Sequence, residues 1–297
     1  MSKPTQKSCS NAVLPAGVEP LQQLARFSWD WAPLLCDPAQ DCRDYHRCWS
    51  SVRLLQKGGA LPAGSAFFQD ELASLVAADR RRILISGSAD TGLMALVFTI
   101  CKAMGAAPEI VLVDQCRTTV TQNRILADYL GLQADIRQGD IKTLDCPPVD
   151  AVIVHSFLGF FPRPERQQVI GAWGRLLRPG GKVLMSATLA QSEDVPYPAR
   201  NETAIDASKP RLVDSAIEAG MAVTEAEQLG EIAVTMLKKR LTHDPQLTRD
   251  FLDRAFAAAG IRLTAVNLKE KERLGPLAAF RLQSDLCQRG EIVGIRE

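Results

Sequence analysis

Two acidic residues and a glycine-bearing turn are the parts of this chain whose types and order suit binding of a ligand. Asp114 ends a short apolar segment, Asp140 closely follows a second, and the turn at residues 87–92 follows a third. Glycine lets a turn approach a ligand closely, and parallel α/β sheets bind ligands at the carboxyl ends of their strands. At that edge Asp114 could accept hydrogen bonds from two ribose hydroxyls, and Asp140 from an adenine amine. The order therefore predicts a cofactor that contains adenosine.

An alternation of strands and helices must position these residues. Apolar strands with helices between them are typical of a parallel sheet covered on both faces. We therefore predict an α/β fold with a doubly wound, mainly parallel, seven-stranded sheet. The predicted strands are 83–86, 109–114, 134–138, 150–155, 182–187, 261–268 and 277–282, and the predicted helices of this part are 92–104, 118–130, 164–177, 211–241 and 244–260, the last capped by Asp244.

The segments that precede and follow the central strand–helix alternation have a different pattern. Residues 16–80 carry helical signals without a strand signal, and Asp41 could cap a helix over residues 42–55. The segment 190–210 is polar and rich in turn formers, which indicates a loop or lid. We predict a disordered tail and helical cap over 1–66, and a cofactor-binding domain over 67–297 with a lid or insertion near 190–243.

The amino-acid composition limits the kinds of partner that this chain could have. The 297 residues include 35 basic and 34 acidic residues, and a net charge of +1 argues against a dedicated nucleic-acid surface. The sequence shows no apolar run long enough to cross a membrane and no apolar core of a secretory signal. We expect a cytoplasmic monomer or homodimer that acts on a small molecule, without nucleic-acid or membrane partners.

The cysteines are the candidate metal ligands of the sequence. Cys36, Cys42 and Cys48 recur every six residues, with His46 among them. Structural zinc sites more often show close pairs such as CxxC, and residues six apart on one helix do not share a face. The spacing therefore predicts free thiols in a reducing compartment and no metal site.

Taken in order, the motifs resemble those of the class I S-adenosylmethionine (SAM)-dependent methyltransferases. The resemblance rests on ILISGSADTG, VLVD, QGDI, DAVIVHSFLGFF, LLRPGGKVLMS and AFAAAGIRLTAV; it covers residues 67–190 well and 244–285 more loosely. It implies a Rossmann-like methyltransferase fold with SAM as the cofactor. The residues that it implies for cofactor binding are Gly87, Ser88, Asp90, Gly92, Asp114, Gln115, Asp140, Ile141 and Ser156.

The glycine turn departs from the family's pattern. Ile85 stands where the family typically has an acid two residues before the first glycine, and the turn is one residue longer than the common form. That acid usually helps to hold the amino-acid end of the cofactor. Asp90 could replace it, or could simply cap the following helix. Tyr45, Arg47 and Arg53 are further candidates from the helical cap.

The segment after the fourth predicted strand should lie nearest the reacting atoms. His155 could act as a general base, because its unperturbed pKa lies near neutrality, or could be a packed histidine. Phe157 and its neighbouring phenylalanines could surround a sulfonium cation or belong to the core. With Tyr45 from the cap, His155 and Phe157 are the predicted catalytic residues.

Three functions fit this pattern. Methyl transfer to a small organic acceptor is the first. The second is attack of the cofactor's own amine on its aminocarboxypropyl arm, as in the azetidine-2-carboxylate synthases that the chain resembles in overall plan. Ile85 suits this second reaction, because a carboxylate at that position would hold the amine as an unreactive ammonium group. A non-catalytic binding subunit that kept the fold is the third.

Overall fold

The computed structural model describes residues 18–55, 65–191, 202–239, 247–269 and 287–297. Helices alternate with strands over the central part of the chain, whereas the first three elements are all helical. The helices are α1 (Leu21–Leu35), α2 (Arg43–Leu54), α3 (Ser65–Ala77), α4 (Gly92–Ala103), α5 (Arg117–Leu130), α6 (Arg163–Leu176), α7 (Glu202–Glu218), α8 (Val223–Lys239) and α9 (Arg249–Ala258). The strands are β1 (Arg82–Ser86), β2 (Glu109–Asp114), β3 (Ala134–Gln138), β4 (Val149–His155), β5 (Leu177–Ala190), β6 (Leu247–Thr248), β7 (Ile261–Lys269) and β8 (Cys287–Arg296).

One sheet joins all the described strands, in the order β3-β2-β1-β4-β5-β8-β7, with the short β6 paired to β5. Strands β1 to β5 are parallel, and β8 runs antiparallel to both β5 and β7. The predicted α/β fold with a mainly parallel, doubly wound sheet is confirmed, although the described sheet has eight strands where seven were predicted. The chain builds outward from β1 to β3 and then returns to place β4 on the other side of β1. The carboxyl ends of β1 and β4 therefore form the switch point at which ligands of such sheets bind.

Burial on both faces holds the central strands in place. Ile83, Leu84 and Ile85 of β1 are fully buried, although alternate side chains of a strand point to opposite faces. One apolar layer packs α3 to α5 against the sheet, and Phe68 lies within it. The opposite layer packs α6 and α9 around Trp173. The side chain at position 85 thus belongs to the core beneath the turn.

The N-terminal helices pack on a helical pair from the second half of the chain. Trp29 of α1 and Cys48 of α2 are buried in a cluster that includes Leu229 of α8. Arg26 of α1 forms a salt bridge with Glu225, at the start of α8. The helical cap is therefore built from α1 and α2 together with α8, which the sequence placed in a separate lid or insertion.

Two helix ends differ from their predicted positions. Asp41 does not cap α2: it ends a short 3-10 helix with a φ of 46°, and Cys42 takes the N-cap position. Helix α7 begins at Glu202 and contains Pro210, so the predicted start at residue 211 is late.

Helix α9 begins at Arg249, where the Thr248 hydroxyl accepts a hydrogen bond from the Phe251 N–H at 3.1 Å. The predicted cap at Asp244 and the strand 277–282 lie outside the described residues, as does the predicted disordered tail over 1–15. Among the helices that the structure describes, none has the length and apolar character that crossing a membrane requires.

Candidate active site at the carboxyl edge of the sheet

The turn after β1 brings three strand ends together. Gly87 has a φ of 72°, a left-handed conformation that glycine adopts without strain, and its N–H donates to the Val113 carbonyl at 3.0 Å. A β-carbon added to Gly87 would lie 2.1 Å from the Phe157 ring. Position 87 therefore needs glycine for both its backbone and its contact with the segment after β4.

Asp114 lies at the end of β2, facing this turn. Its Oδ2 accepts a hydrogen bond from the Ser88 N–H at 2.9 Å, and its Oδ1 accepts one from the Cys116 N–H at 2.7 Å. Burial raises the pKa of Asp114 to about 6, against the opposing effects of His46 and the two backbone N–H groups. A carboxylate has about four lone-pair sites. The two backbone bonds fix its orientation and leave capacity to accept hydroxyl hydrogen bonds.

Asp90 is engaged by the protein itself. Its Oδ1 accepts a hydrogen bond from the Gly92 N–H at 2.8 Å, at the start of α4, and its Oδ2 accepts one from Arg53 Nε at 2.5 Å. Arg53 also donates to both oxygens of Glu19, and the Thr91 hydroxyl donates to Glu19 at 2.5 Å. These side chains are buried. Asp90 therefore accepts the first N–H of α4 and pairs with the helical cap, while Thr91 takes the N-cap position. The role of Asp90 in cofactor binding stays a prediction.

Helix α2 lies across the glycine turn. His46 Nδ1 is 3.3 Å from the Ala89 carbonyl and 3.4 Å from the Thr119 hydroxyl. One residue earlier, the Tyr45 ring meets Phe160 edge-on with their centroids 5.5 Å apart. Burial alone would lower the pKa of His46, and its contacts with Cys116 and Asp114 outweigh this and raise it. The cap is thus in contact with both the turn after β1 and the segment after β4.

The segment after β4 begins with a strained residue. Ser156 has a φ of 53°, which is uncommon for a residue other than glycine, and its N–H donates to the Ser186 carbonyl at 2.8 Å. Strained residues cluster at functional sites, where the surrounding structure holds them. The next residue, Phe157, contacts Phe161 edge-on with their centroids 4.9 Å apart.

Arg289 of β8 joins this edge from the far end of the chain. Its Nε donates to Ser186 Oγ and its Nη1 to Ser156 Oγ, both at 2.8 Å. Its Nη2 lies 3.0 Å from His155 Nδ1. Burial, together with the charge of Arg289, lowers the pKa of His155 well below its usual 6.5. His155 is therefore neutral at neutral pH, with a ring nitrogen facing the guanidinium.

The remaining predicted residues lie farther along the same edge. Asp140 follows β3; its Oδ1 accepts a hydrogen bond from the Lys142 N–H at 2.9 Å, and its Oδ2 is 3.3 Å from Lys142 Nζ. Ile141 is buried, whereas Gln115 is exposed and its carbonyl accepts a hydrogen bond from Gln138. The adenine-binding role of Asp140 stays a prediction, as do the roles of the other site residues.

Two charged residues of this region were not predicted from the sequence. Glu19 lies just before α1 and 72 residues from Thr91, with which it shares a hydrogen bond. Arg289 lies 133 residues from Ser156. Neither carries a local motif, because its role depends on contacts between distant segments.

Part of the chain that forms this edge matches a known protein family. Residues 91–181 match the family described as a methyltransferase domain. This match spans α4 to the start of β5, including Asp114, Asp140 and the segment after β4. It agrees with SAM as the predicted cofactor. No curated protein matches this chain.

Solved structures share the fold at low sequence identity. The [4+2]-cyclase SpnF has a TM-score of 0.54 at 12% identity, over 95% of this chain and 98% of that chain. The mitomycin 7-O-methyltransferase MmcR has a TM-score of 0.49 at 13% identity, over 94% and 69%. Magnesium protoporphyrin IX methyltransferase (ChlM) from Synechocystis PCC 6803 with bound SAM has a TM-score of 0.44 at 12% identity, over 78% and 81%. The likeness to SpnF shows that the two chains share a fold.

Proposed function

We propose that this protein is a SAM-dependent enzyme that transfers a methyl group to a small organic acceptor. The observation that carries the proposal is the Asp114 carboxylate, fixed by the Ser88 and Cys116 N–H groups at the switch-point edge of a methyltransferase-like sheet. SAM supplies an activated methyl group when bound. The chain itself must therefore bind SAM and the acceptor, orient them and exclude water.

The residues present fit an adenosyl group. The turn lies against Asp114 through the Ser88 N–H, and the lone pairs of Asp114 that its two backbone hydrogen bonds do not use can accept the ribose hydroxyl protons. Asp140 follows the neighbouring strand, since Asp114 pairs in register with Gln138. The two carboxylates therefore stand at successive strand ends, in the order that ribose and adenine would require.

The methionine end would lie toward β4, where the protein offers different groups. Ser156 is exposed and Arg289 presents a guanidinium beside it. A guanidinium suits recognition of a carboxylate. His155 is kept neutral there, and its low pKa makes it a weak base. We assign His155 a positioning role together with Arg289. During transfer the acceptor loses its proton to solvent or to one of its own groups.

The acceptor pocket that we propose is aromatic. Tyr45 stacks on Trp49 with their centroids 5.7 Å apart and meets Phe160 edge-on, while Phe157 lies against Gly87. Phe160 is 55% exposed. Aromatic faces bind planar apolar acceptors and attract a sulfonium cation. This lining supports a small organic acceptor.

Cyclisation of SAM to azetidine-2-carboxylate is the second candidate, and one observation favours it. Ile85 is fully buried, and Asp90 is committed to Arg53 and to the start of α4. Neither position offers a free carboxylate to keep the cofactor's amine protonated. In this reaction the amine nitrogen bonds to the γ-carbon, the carbon–sulfur bond breaks with its electrons on sulfur, methylthioadenosine leaves, and the amine loses a proton. SpnF, whose described activity is a cyclisation, agrees with the rule that this fold does not fix the reaction.

Product analysis separates the two reactions. The purified protein is incubated with SAM alone, and then with SAM and a panel of phenols, amines and carboxylic acids, and the products are identified by mass spectrometry. S-adenosylhomocysteine that forms only with an acceptor supports methyl transfer. Methylthioadenosine with an equal amount of azetidine-2-carboxylate, formed from SAM alone, supports cyclisation instead. A protein that binds neither SAM nor S-adenosylhomocysteine by calorimetry contradicts both.

A further inference from the structure

Three cysteine side chains from separate parts of the chain meet beside this edge. Cys36 follows α1, Cys42 precedes α2, and Cys116 follows β2. The sulfur of Cys116 lies 3.5 Å from that of Cys36 and 3.8 Å from that of Cys42, and all three sulfurs lie within 4.8 Å of one another. The sequence predicted separate thiols because the cysteines lack close pairs and residues six apart on one helix do not share a face. The 3-10 helix Pro38–Gln40 instead separates α1 from α2 and brings Cys36 and Cys42 together.

The spacing of the sulfurs suits a tetrahedral metal ion. With zinc–sulfur bonds of about 2.3 Å, two sulfurs of a tetrahedral site lie ~3.8 Å apart. A disulfide needs sulfurs about 2.05 Å apart. The observed separations, 3.5 Å and 3.8 Å, are those of shared metal ligands, and a single disulfide would leave the third thiol unpaired.

The surroundings stabilise thiolates. Cys36 and Cys116 are buried with Ala32, and Cys42 is half-buried against them. Cys116 takes the N-cap position of α5, where the unpaired N–H groups and the helix dipole favour a negative charge. The Thr118 hydroxyl lies 3.1 Å from the Cys36 sulfur, a hydrogen-bonding partner of the kind that orients metal ligands.

We propose that Cys36, Cys42 and Cys116 bind one Zn²⁺ ion as three thiolate ligands, with His46 as the fourth ligand. His46 stands one helical turn after Cys42, since its N–H donates to the Cys42 carbonyl at 3.0 Å. Its Nδ1 is 3.3 Å from the Ala89 carbonyl, and a proton on that nitrogen would leave Nε2 as the ligand atom. The ring nitrogens of His46 do not lie within 4.8 Å of all three sulfurs, so a turn of the ring toward them would complete the site.

Such an ion would be structural, because four protein ligands leave no open position for a substrate. It would join the end of α1 and the start of α2 to the loop after β2. The Cys116 N–H donates to Asp114 Oδ1, so the same loop also orients the carboxylate of the candidate active site. Zinc binding would therefore hold the helical cap in place beside Asp114. This site is independent of the reaction that the enzyme performs.

Metal titration of the full chain tests the proposal. The protein is stripped with a chelator under reducing conditions, and Zn²⁺ is added back in competition with a chromophoric chelator. We expect one ion per chain and a rise in melting temperature. Co²⁺ should give sulfur-to-cobalt charge-transfer absorption and the intense visible bands of a tetrahedral site. Binding below one equivalent without stabilisation would overturn the proposal.

Serine variants locate the site. Cys42→Ser should lose the Zn²⁺-dependent rise in melting temperature, whereas two controls at thiols outside the cluster, Cys48→Ser on α2 and Cys146→Ser before β4, should keep it. An equal rise in Cys42→Ser and the controls would place the metal elsewhere.

X-ray absorption of the unmodified, zinc-loaded protein gives a test that does not depend on a variant's folding. We expect three sulfur neighbours at about 2.3 Å and one imidazole nitrogen. Fewer than three sulfurs would overturn the site, and an unchanged spectrum in His46→Gln would overturn the assignment of the fourth ligand. A disulfide from Cys36 or Cys42 to Cys116, mapped in protein purified with a reductant, would also overturn the proposal.

Discussion

Arg53 of α2 and Asp90 of the turn after β1 form a buried ion pair, with 2.5 Å between Nε and Oδ2. Arg53 also pairs with Glu19, so one guanidinium compensates two carboxylates in the interior. Because Asp90 also accepts from the Gly92 N–H, this pair connects the helical cap directly to the start of α4. The arrangement explains why Asp90 serves the structure of the turn.

Loss of Arg53 should strongly destabilise the protein. In Arg53→Met, Glu19 and Asp90 would be buried without a cationic partner, a change that costs about 3–5 kcal/mol of the free energy of unfolding. Urea unfolding measures it. The matched control is Arg43→Met on the same helix, where the side chain is 62% exposed and its salt bridge to Asp44 spans 3.6 Å; this change should cost less than about 1 kcal/mol. Equal losses in the two variants would contradict the role of the buried pair.

Gly87→Ala should destabilise the protein more than an alanine substitution at another glycine with left-handed backbone. Gly131 has a φ of 63° and open space around it, so alanine there costs only backbone strain, about 1–2 kcal/mol. At Gly87 the new methyl group would also collide with Phe157, adding roughly 1–3 kcal/mol. Chemical denaturation of both variants gives the difference. In the Phe157→Ala background, the additional destabilisation at Gly87 should become smaller. If it stays the same, the collision with the Phe157 ring is not the reason for it.

Asp114→Ala should weaken binding of SAM. The alanine side chain cannot accept the ribose hydrogen bonds, and the expected loss is about 1–3 kcal/mol, the range for hydrogen bonds to a charged group. Isothermal titration calorimetry with SAM and S-adenosylhomocysteine measures it. Asp128→Ala on the exposed face of α5 is the control and should bind as the unmodified protein does. Identical affinities in both variants would remove Asp114 from the site.

His155 should make stability depend on pH. Its pKa in the folded protein is lowered, whereas its pKa in the unfolded chain is about 6.5. Between these values the unfolded chain binds the proton at His155 and the folded protein does not, so the contribution of His155 to the free energy of unfolding falls as the pH falls below about 6.5. The raised pKa values of Asp114 and His46 act in the opposite direction. Denaturant titrations from about pH 7.5 to about pH 5 measure this slope.

His155→Gln should be less sensitive to acid over the same interval. Arg289→Met gives a second check, because removing the neighbouring positive charge should raise the pKa of His155 toward its usual value, which NMR titration of the ring reports. A slope unchanged in His155→Gln would assign the acid sensitivity to other groups.

The sequence predicted those parts of the site that depend on local pattern. Asp114 ends an apolar strand, and Gly87 follows another. Because parallel strands place their carboxyl ends at one edge of a sheet, the order of these segments was enough to predict that the two residues lie close together. The central helices and strands were predicted for the same reason, since each carries its own periodicity.

Contacts between distant segments were not predictable in this way. Glu19 has no local signal, and Asp90 and Arg53 were predicted as separate candidates for cofactor binding. Packing of α2 across the turn shows that Arg53 is the buried partner of both Asp90 and Glu19. The left-handed backbone of Ser156 has no signal in residue type, because serine rarely adopts it. The meeting of Cys36 with Cys116, 80 residues later, was not predictable because the spacing of cysteines along the chain does not show which distant segments pack together.

The position of β8 has a consequence for how the molecule assembles. It lies between β5 and β7, with Lys182 opposite Ile295 and Ile261 opposite Arg296. Strand β7 leaves the ribosome first, yet among the described strands its neighbour in the sheet is β8, which is synthesised after it. Folding of this half must therefore wait for the late strand, which also delivers Arg289 to His155. A nascent chain that stops before residue 287 would have neither a docked β7 nor that guanidinium.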